Sequence, residues 1–268
     1  MTNLNIFTIM GNITGNAEEH QSGNNVLLSF SVACNRSKDS TDFIPVRVNK
    51  SFVPEKTRQK LVKGAPIRVT GRFECGSYDK DGQKKYYSYL SPETLEMNTR
   101  GNLNNGMLMG RLTADPIMRN TQAGKSVASF TVACNRQYKD KQSGEWKDAP
   151  TSFASVTAWE KTADFVCQYF KKGDMIALAG ELRSRGYQDK NGNNRTAYEV
   201  LATKVSFANP AQQTNAAGTT PAQATPAQAT PAQAAAAPAQ NNAGGYGSYG
   251  VYPQEDFEAI NDDEDLPF

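Results

Sequence analysis

Phe153 and Trp159 lie six residues apart in a stretch where inward and outward residue types alternate. An even spacing along an extended strand places both rings on one face. Arg183, Arg185 and Tyr187 share a face of a later stretch in the same way, and Tyr138 sits in a basic loop with Arg136, Lys139 and Lys141. Aromatic rings provide planes on which bases stack, and cations neutralise phosphates. Gathered on one surface, these side chains suit an unpaired nucleic-acid strand. Each member taken singly has a plainer reading, because barrel aromatics commonly fill cores and surface arginines are commonly only solvated. For Trp159 the outward reading is favoured by its neighbours, small Ala158 on one side and Glu160 and Lys161 on the other. Tyr187 continues the period of the two arginines, and Tyr138 stands among polar residues.

The elements that must position these residues emerge from an internal repeat. Met10-Gly11-Asn12-Ile13-Thr14 recurs as Met109-Gly110-Arg111-Leu112-Thr113, and Ser29-Phe30-Ser31-Val32-Ala33-Cys34-Asn35-Arg36 as Ser129-Phe130-Thr131-Val132-Ala133-Cys134-Asn135-Arg136. Lys63-Gly64 recurs as Lys172-Gly173. Units of about 100 residues are domains rather than solenoid repeats. Residues 1–100 form the first unit and 106–207 the second, with a polar, asparagine-rich joint around Gly101. In the second unit alternation predicts strands at 128–134, 153–159, 175–187 and 195–205. The last two are joined by the tight turn Asp189-Lys190-Asn191-Gly192. Helical spacing of Ala163, Phe165, Val166, Tyr169 and Phe170 predicts a helix over 161–172, with Gly173 as its C-cap. With the segment around Met109-Gly110 as the first strand, three strands, a helix and two strands is the order of the five-stranded OB barrel. The expected class is therefore all-β, two tandem OB folds followed by a disordered C-terminal tail. Pro54 weakens the helix expected in the first copy.

The copies differ at the candidate positions. Lys38 stands where the second copy has Tyr138, Phe43 where it has Phe153, Asn49 where it has Trp159, and Tyr78 where it has Tyr187. Arg183 and Arg185 become Glu74 and Gly76. Phe43 and Tyr78 remain as candidates, so the second copy is expected to hold the main binding face and the first a weaker one. Lys84, Lys85, Tyr86, Tyr87 and Tyr89 offer partial compensation, with half of that alternating run turned inward.

Charge is divided along the chain. Residues 1–208 contain all 29 Lys and Arg, whereas 209–268 contain seven acids and no Lys or Arg. A basic body beside an acidic tail points to a polyanionic ligand. Residues 209–254, rich in Pro, Ala, Gln and Gly, have too little bulky apolar surface to offset the entropy of ordering, so they are expected to be a disordered linker. A flexible chain of that length spans roughly 35–40 Å. The acidic end, 255–268, closes on Asp262-Asp263-Glu264-Asp265-Leu266-Pro267-Phe268. Its acids suit a basic groove, its Phe268 ring an apolar pocket, and its carboxylate adds an anion.

Other function classes find little support. One histidine, widely scattered cysteines and the lack of a Gly-Lys-Ser/Thr loop or a carboxylate cluster argue against an enzyme, a metal site and a cofactor. Cys34 and Cys134 fall in apolar alternating runs and are expected to be buried free thiols. No apolar run is long enough to span a bilayer, and Met1-Thr2-Asn3-Leu4-Asn5 lacks the regions of a signal peptide, so a cytoplasmic protein is expected. A single-stranded RNA chaperone or regulator on the same fold is the alternative, because every base has a stackable face.

The second copy resembles the bacterial single-stranded DNA-binding protein family. The likeness rests on Gly110-Arg111-Leu112-Thr113-Ala114-Asp115-Pro116, on the strand and loop over 130–141, on Tyr169-Phe170-Lys171-Lys172-Gly173 and on Gly180-Glu181-Leu182-Arg183-Ser184-Arg185-Gly186-Tyr187. The first copy resembles it more faintly. The resemblance implies base stacking on Tyr138, Phe153, Trp159 and Tyr187, positions where several members carry tryptophan. It also implies a homodimer whose two chains supply four OB folds. Residues 262–268 resemble the family's docking tip for replication, recombination and repair proteins.

Overall fold

The computed structural model describes residues 4–208, apart from 24, 81, 141, 142 and 189–191. Lys141, most of the expected 189–192 turn, the linker and the acidic tip therefore lie outside the described residues.

The first OB fold comprises β1 (Asn5–Ile13), β2 (Glu18–Ser22), β3 (Asn25–Asn35), β4 (Thr41–Asn49), the one-turn helix α1 (Glu55–Arg58), β5 (Pro66–Lys80) and β6 (Gln83–Met97). The second repeats the plan as β7 (Leu103–Leu112), β8 (Ile117–Asn120), β9 (Ser126–Cys134), β12 (Ser152–Trp159), α2 (Glu160–Tyr169), β13 (Met175–Gln188) and β14 (Asn194–Phe207). It adds a ribbon of two short strands, β10 (Gln137–Lys139) and β11 (Trp146–Asp148). Strand order is β2-β3-β4-β6-β5-β1-β7-β13-β14-β12-β9-β8, the same sequence of equivalents outward from the centre in each half. Pairing of β1 with β3 and of β7 with β9 curls each half back on itself. There the repeated Met-Gly dipeptides find their reason. A Cβ on Gly11 would stand 1.9 Å from the Ala33 carbonyl oxygen, and one on Gly110 would stand 2.3 Å from that of Ala133.

Alternation produces the core. Along β12, Ser152, Ala154, Val156 and Ala158 point inward, and along β3 Leu28, Phe30, Val32 and Cys34 do the same. Cys34 and Cys134 are buried as expected, and burial pushes both thiols up to about 12, so neither is a reactive thiolate. α2 differs from expectation at its C-terminus. It ends at Tyr169, Phe170 is extended, and Gly173 sits beyond it in a turn with φ +89° rather than as the C-cap. Leaving the helix lets the Phe170 ring enter the core, stacked on Phe207 at 4.9 Å. In the first fold, Pro54 is the N-cap of α1, whose four residues bury none of their side chains.

The two folds are joined by main-chain pairing. β1 and β7 run antiparallel, with Asn5 opposite Leu108 and Met10 opposite Leu103, so the edges of the two barrels satisfy each other. At each flank an asparagine takes over where the next strand bends away. The Asn5 side chain exchanges two hydrogen bonds with the Phe73 backbone (2.9 and 3.0 Å), and Asn104 does so with Leu182 (2.6 and 2.9 Å). Across the seam, Asp42 is 1% exposed and accepts from the Arg183 guanidinium (3.1 Å) and the Ser184 N–H (3.0 Å). The equivalent pair on the other side is neutral: Ser152 donates to the Phe73 carbonyl (3.0 Å) and accepts from the Cys75 N–H (2.9 Å). Removing Asp42 breaks the buried pair, leaves Arg183 with Glu181 as its remaining carboxylate and takes the acceptor from the Ser184 N–H. Asp42→Ala is therefore expected to destabilise the chain by about 3 kcal/mol in urea unfolding, while Asp39→Ala, at an exposed acid, leaves the curve in place.

Candidate nucleic-acid interface

The second barrel presents the predicted rings outward. Phe153, Ser155, Thr157 and Trp159 form the outer row of β12, and Trp159 is 40% exposed. Arg183, Arg185 and Tyr187 lie on the outer row of β13, where Tyr187 pairs across to Arg195 on β14. Tyr138 is exposed on β10, as is Lys139 beside it, and Arg136 is half-buried just before that strand. The expected loop is thus a projecting ribbon rather than an irregular segment. Its stiffness comes from the Gln137–Asp148, Tyr138–Lys147 and Lys139–Trp146 pairings, with Lys147 bonded to Asp140 at 3.0 Å.

Sequence reasoning overlooked Trp146, the most exposed large apolar residue among those described, at 68%. Its neighbours Glu145 and Lys147 carry the signal that was available: a tryptophan between two charges seldom belongs to a core. It adds a fifth ring to the four expected on this barrel.

Arg183 has a different employment from the one expected. Only 14% of its side chain is exposed, and both terminal nitrogens are engaged, one with Asp42 and the other with Glu181 at 2.7 Å. The structure makes it a seam residue. Arg185, half-buried on the same row, remains at the face.

In the first barrel Phe43 and Tyr78 are exposed, at 50% and 52%. The Phe43 N–H donates to the Ser184 hydroxyl of the other barrel at 2.9 Å, so its ring is held beside the seam. The run after the hairpin does not simply divide into inner and outer halves. Tyr86 is exposed, whereas Tyr87 and Tyr89 stack on each other at 5.6 Å with 29° between planes. Tyr78 lies 6.4 Å from Tyr87, and the exposed guanidinium of Arg47 sits 4.7 Å over the Tyr89 ring. Burial, followed by the nearby Glu74 carboxylate for Tyr87 and by the Tyr87 phenol for Tyr89, raises both phenols above the ordinary tyrosine value. They stay neutral at any physiological pH, which a phosphate-bearing strand requires of its stacking partners.

Two barrels of this topology, each with an outward aromatic row flanked by cations, define an OB-fold nucleic-acid-binding module. The chain belongs to the single-strand binding protein family, whose sequence pattern matches residues 4–98 and again 103–208. It is 40% identical over 114 residues to Single-stranded DNA-binding protein B of Bacillus subtilis, covering 42% of this chain and 97% of that one. Identity to the Single-stranded DNA-binding protein of Caldanaerobacter subterraneus is 41% over 108 residues, 40% of this chain and 69% of that one. The match to the protein of the same name from Paenarthrobacter aurescens, 38% over 98 residues, covers 37% of this chain and 57% of that one, a little over half of its length. In architecture the chain is similar to the wild-type single-stranded DNA binding protein from Thermus aquaticus, with a TM-score of 0.60 and 24% identity, over 84% of this chain and 98% of that one.

Proposed function

We propose that this chain binds single-stranded DNA without strong sequence preference, protecting exposed strands during replication, recombination and repair. The observation that carries the reading is the outward row of Phe153 and Trp159 on β12, together with Tyr187 and Arg185 on the outer row of β13, one strand beyond β14, and Tyr138 exposed on the ribbon. Rings stack against bases of any identity, and cations take the phosphates, so the grip is general rather than sequence-specific. The role is passive: the protein coats the strand and blocks reannealing and nuclease attack without chemistry of its own. It works in the cytoplasm, on the nucleoid. Two chains associate so that four OB folds face the strand. The relatives named as single-stranded DNA-binding proteins support DNA over RNA as the ligand.

Fluorescence titration with matched DNA and RNA oligonucleotides tests the ligand class. Tighter binding of the DNA is expected, with affinity falling as salt rises because bound phosphates release counterions. Trp159→Ala should cost about 1–3 kcal/mol, the range for one lost stacking platform. Equal affinity for RNA would favour a chaperone of RNA instead, and an affinity indifferent to salt would remove the phosphate contacts from the account. Sedimentation at micromolar concentration should give the mass of two chains, and a single-chain mass would reject the dimer.

The acidic end is the recruiting element in this reading. Asp262, Asp263, Glu264 and Asp265 meet a basic groove, and Leu266, Pro267 and Phe268 an apolar pocket, on replication and repair proteins. Those residues lie outside the described part of the chain, so sequence alone supports this. Truncation before Asp262 should leave DNA binding intact or slightly tighter at low salt, since four of the seven tail acids no longer compete for the basic body. The same truncation should abolish capture of replication and repair proteins. Capture by the shortened chain would place docking on the barrels.

A further inference from the structure

We infer that the first barrel carries a single-stranded nucleic-acid site of its own, centred on Arg47, Tyr87 and Tyr89 and displaced from the row the second barrel uses. The inference rests on the proposed ligand class and concerns where the first fold holds it. Strand registers identify the equivalent residues. Arg47 faces Ser29 as Thr157 faces Ser129, and Tyr89 faces Glu74 as Glu199 faces Arg183. The second barrel thus has Thr157 and Glu199, joined by a 2.6 Å hydrogen bond, where the first has a guanidinium lying on a ring. Gly76 faces Tyr87 as Arg185 faces Ala197. A Cβ on Gly76 would come within 2.7 Å of the Tyr87 ring, so the absence of a side chain there gives the ring its seat. The second barrel reverses the exchange, with the large cation on β13 and the small residue on β14.

The first barrel has therefore not simply lost stacking surface. Its platform has moved from the β4 row, where Asn49 replaces a tryptophan, to the β6 row. There Tyr87 and Tyr89, with Tyr78 of β5 beside Tyr87, form a ladder capped by Arg47. A guanidinium over a ring is itself a stacking plane and a phosphate donor, and here it stands there before the strand arrives. The acid beside the ladder does not oppose this, because Glu74 is paired with Arg72 at 3.3 Å. Lys85 lies across from Tyr78 as Arg195 lies across from Tyr187, so a cation flanks the ladder as well.

A cleft of about 260 Å³ adjoins the ladder, with Asn16, Glu18, Ser29, Arg47 and Tyr89 among its lining residues. The Ser29 hydroxyl oxygen is buried and has no hydrogen-bond partner among the described residues, which is uncommon for a buried polar atom. With Glu18 also present, the cleft suits the edge of a base better than a phosphate. The site fits one unpaired base in the cleft beside Tyr89, its neighbours at the ladder's exposed ends, Arg47 and Tyr78, and the backbone towards Lys85.

The test uses the full chain and thymidine oligonucleotides of about 12 nucleotides, a length one OB fold accommodates. The unaltered chain is expected to bind two per chain. Arg47→Thr/Tyr89→Gln imitates the Thr157–Glu199 pair, with neutral Gln because Glu74 rather than an arginine lies opposite. It should weaken one of the two sites by about 5- to 100-fold and leave the other unchanged. Trp159→Ala should weaken the other site, and the two losses should combine in the joint variant. Tyr87→Ala alone gives a second reading on the ladder should the pair fold poorly, with circular dichroism as the check. Two sites of unchanged affinity in both ladder variants would overturn the inference and leave the general function standing. Failure of the unaltered chain to bind any oligonucleotide would overturn both.

Discussion

The antiparallel pairing of β1 with β7 is the contact on which the rest of the structure depends. Each strand is also part of its own barrel, so joining them leaves neither with an unsatisfied edge and merges both barrels into one twelve-stranded sheet. The pairing sets the register between the folds, and that register brings Asp42 to Arg183 and Ser152 to Cys75. It also decides where the outward rows lie. Phe43 is pinned by its backbone to Ser184, beside the arginine and tyrosine row of the other barrel. A strand crossing from one fold to the other therefore meets aromatic residues on both sides of the seam.

Tandem copies in one chain relax a constraint that separate identical chains must obey. In a symmetric pair every residue occurs on both sides, so an ion pair across the seam appears twice or not at all. Here one side carries Asp42 and Arg183, while the equivalent side uses the hydroxyl of Ser152. Divergence extends to the faces. The second barrel keeps Phe153 and Trp159 outward on β12, whereas the first has Asn49 at the Trp159 position and stacks Tyr87 on Tyr89. Each exchange is matched locally, Gly76 with Tyr87 and Ala197 with Arg185, and a Cβ on Gly76 would collide with the Tyr87 ring.

The barrels are small, and their cores are filled mainly by Val, Ile, Leu, Ala and Phe from alternating positions. Few of the larger rings are needed inside. Tyr78, Tyr86, Tyr138, Trp146 and Trp159 are all substantially exposed. Exposed rings in such number are costly for a soluble protein unless they meet a ligand. Burial raises the phenols of the half-buried Tyr87 and Tyr89, so the charge beside those rings comes from separate residues such as Arg47.

The repeat, the five-stranded plan and the outward direction of Phe153 and Trp159 were legible because alternation in a strand is a local property: side-chain direction follows from parity alone. The helix end was not. Phe170 leaves α2 to stack on Phe207, a partner 37 residues away in sequence, and that contact outweighs the local signal of Gly173. Trp146 was legible in principle from its charged neighbours, but its place on a ribbon depends on the pairing of β10 with β11. Arg183 shows the limit most clearly. Its sequence neighbourhood marks it as a surface cation, and its period is that of Arg185 and Tyr187. Its buried partner, Asp42, belongs to the other repeat and meets it only after both barrels have closed and β1 has paired with β7. The sequence by itself determined which residues face outward and which charges are available. Only the tertiary structure decided which of those charges were already taken, because an ion pair depends on a distance in space that no spacing along the chain encodes.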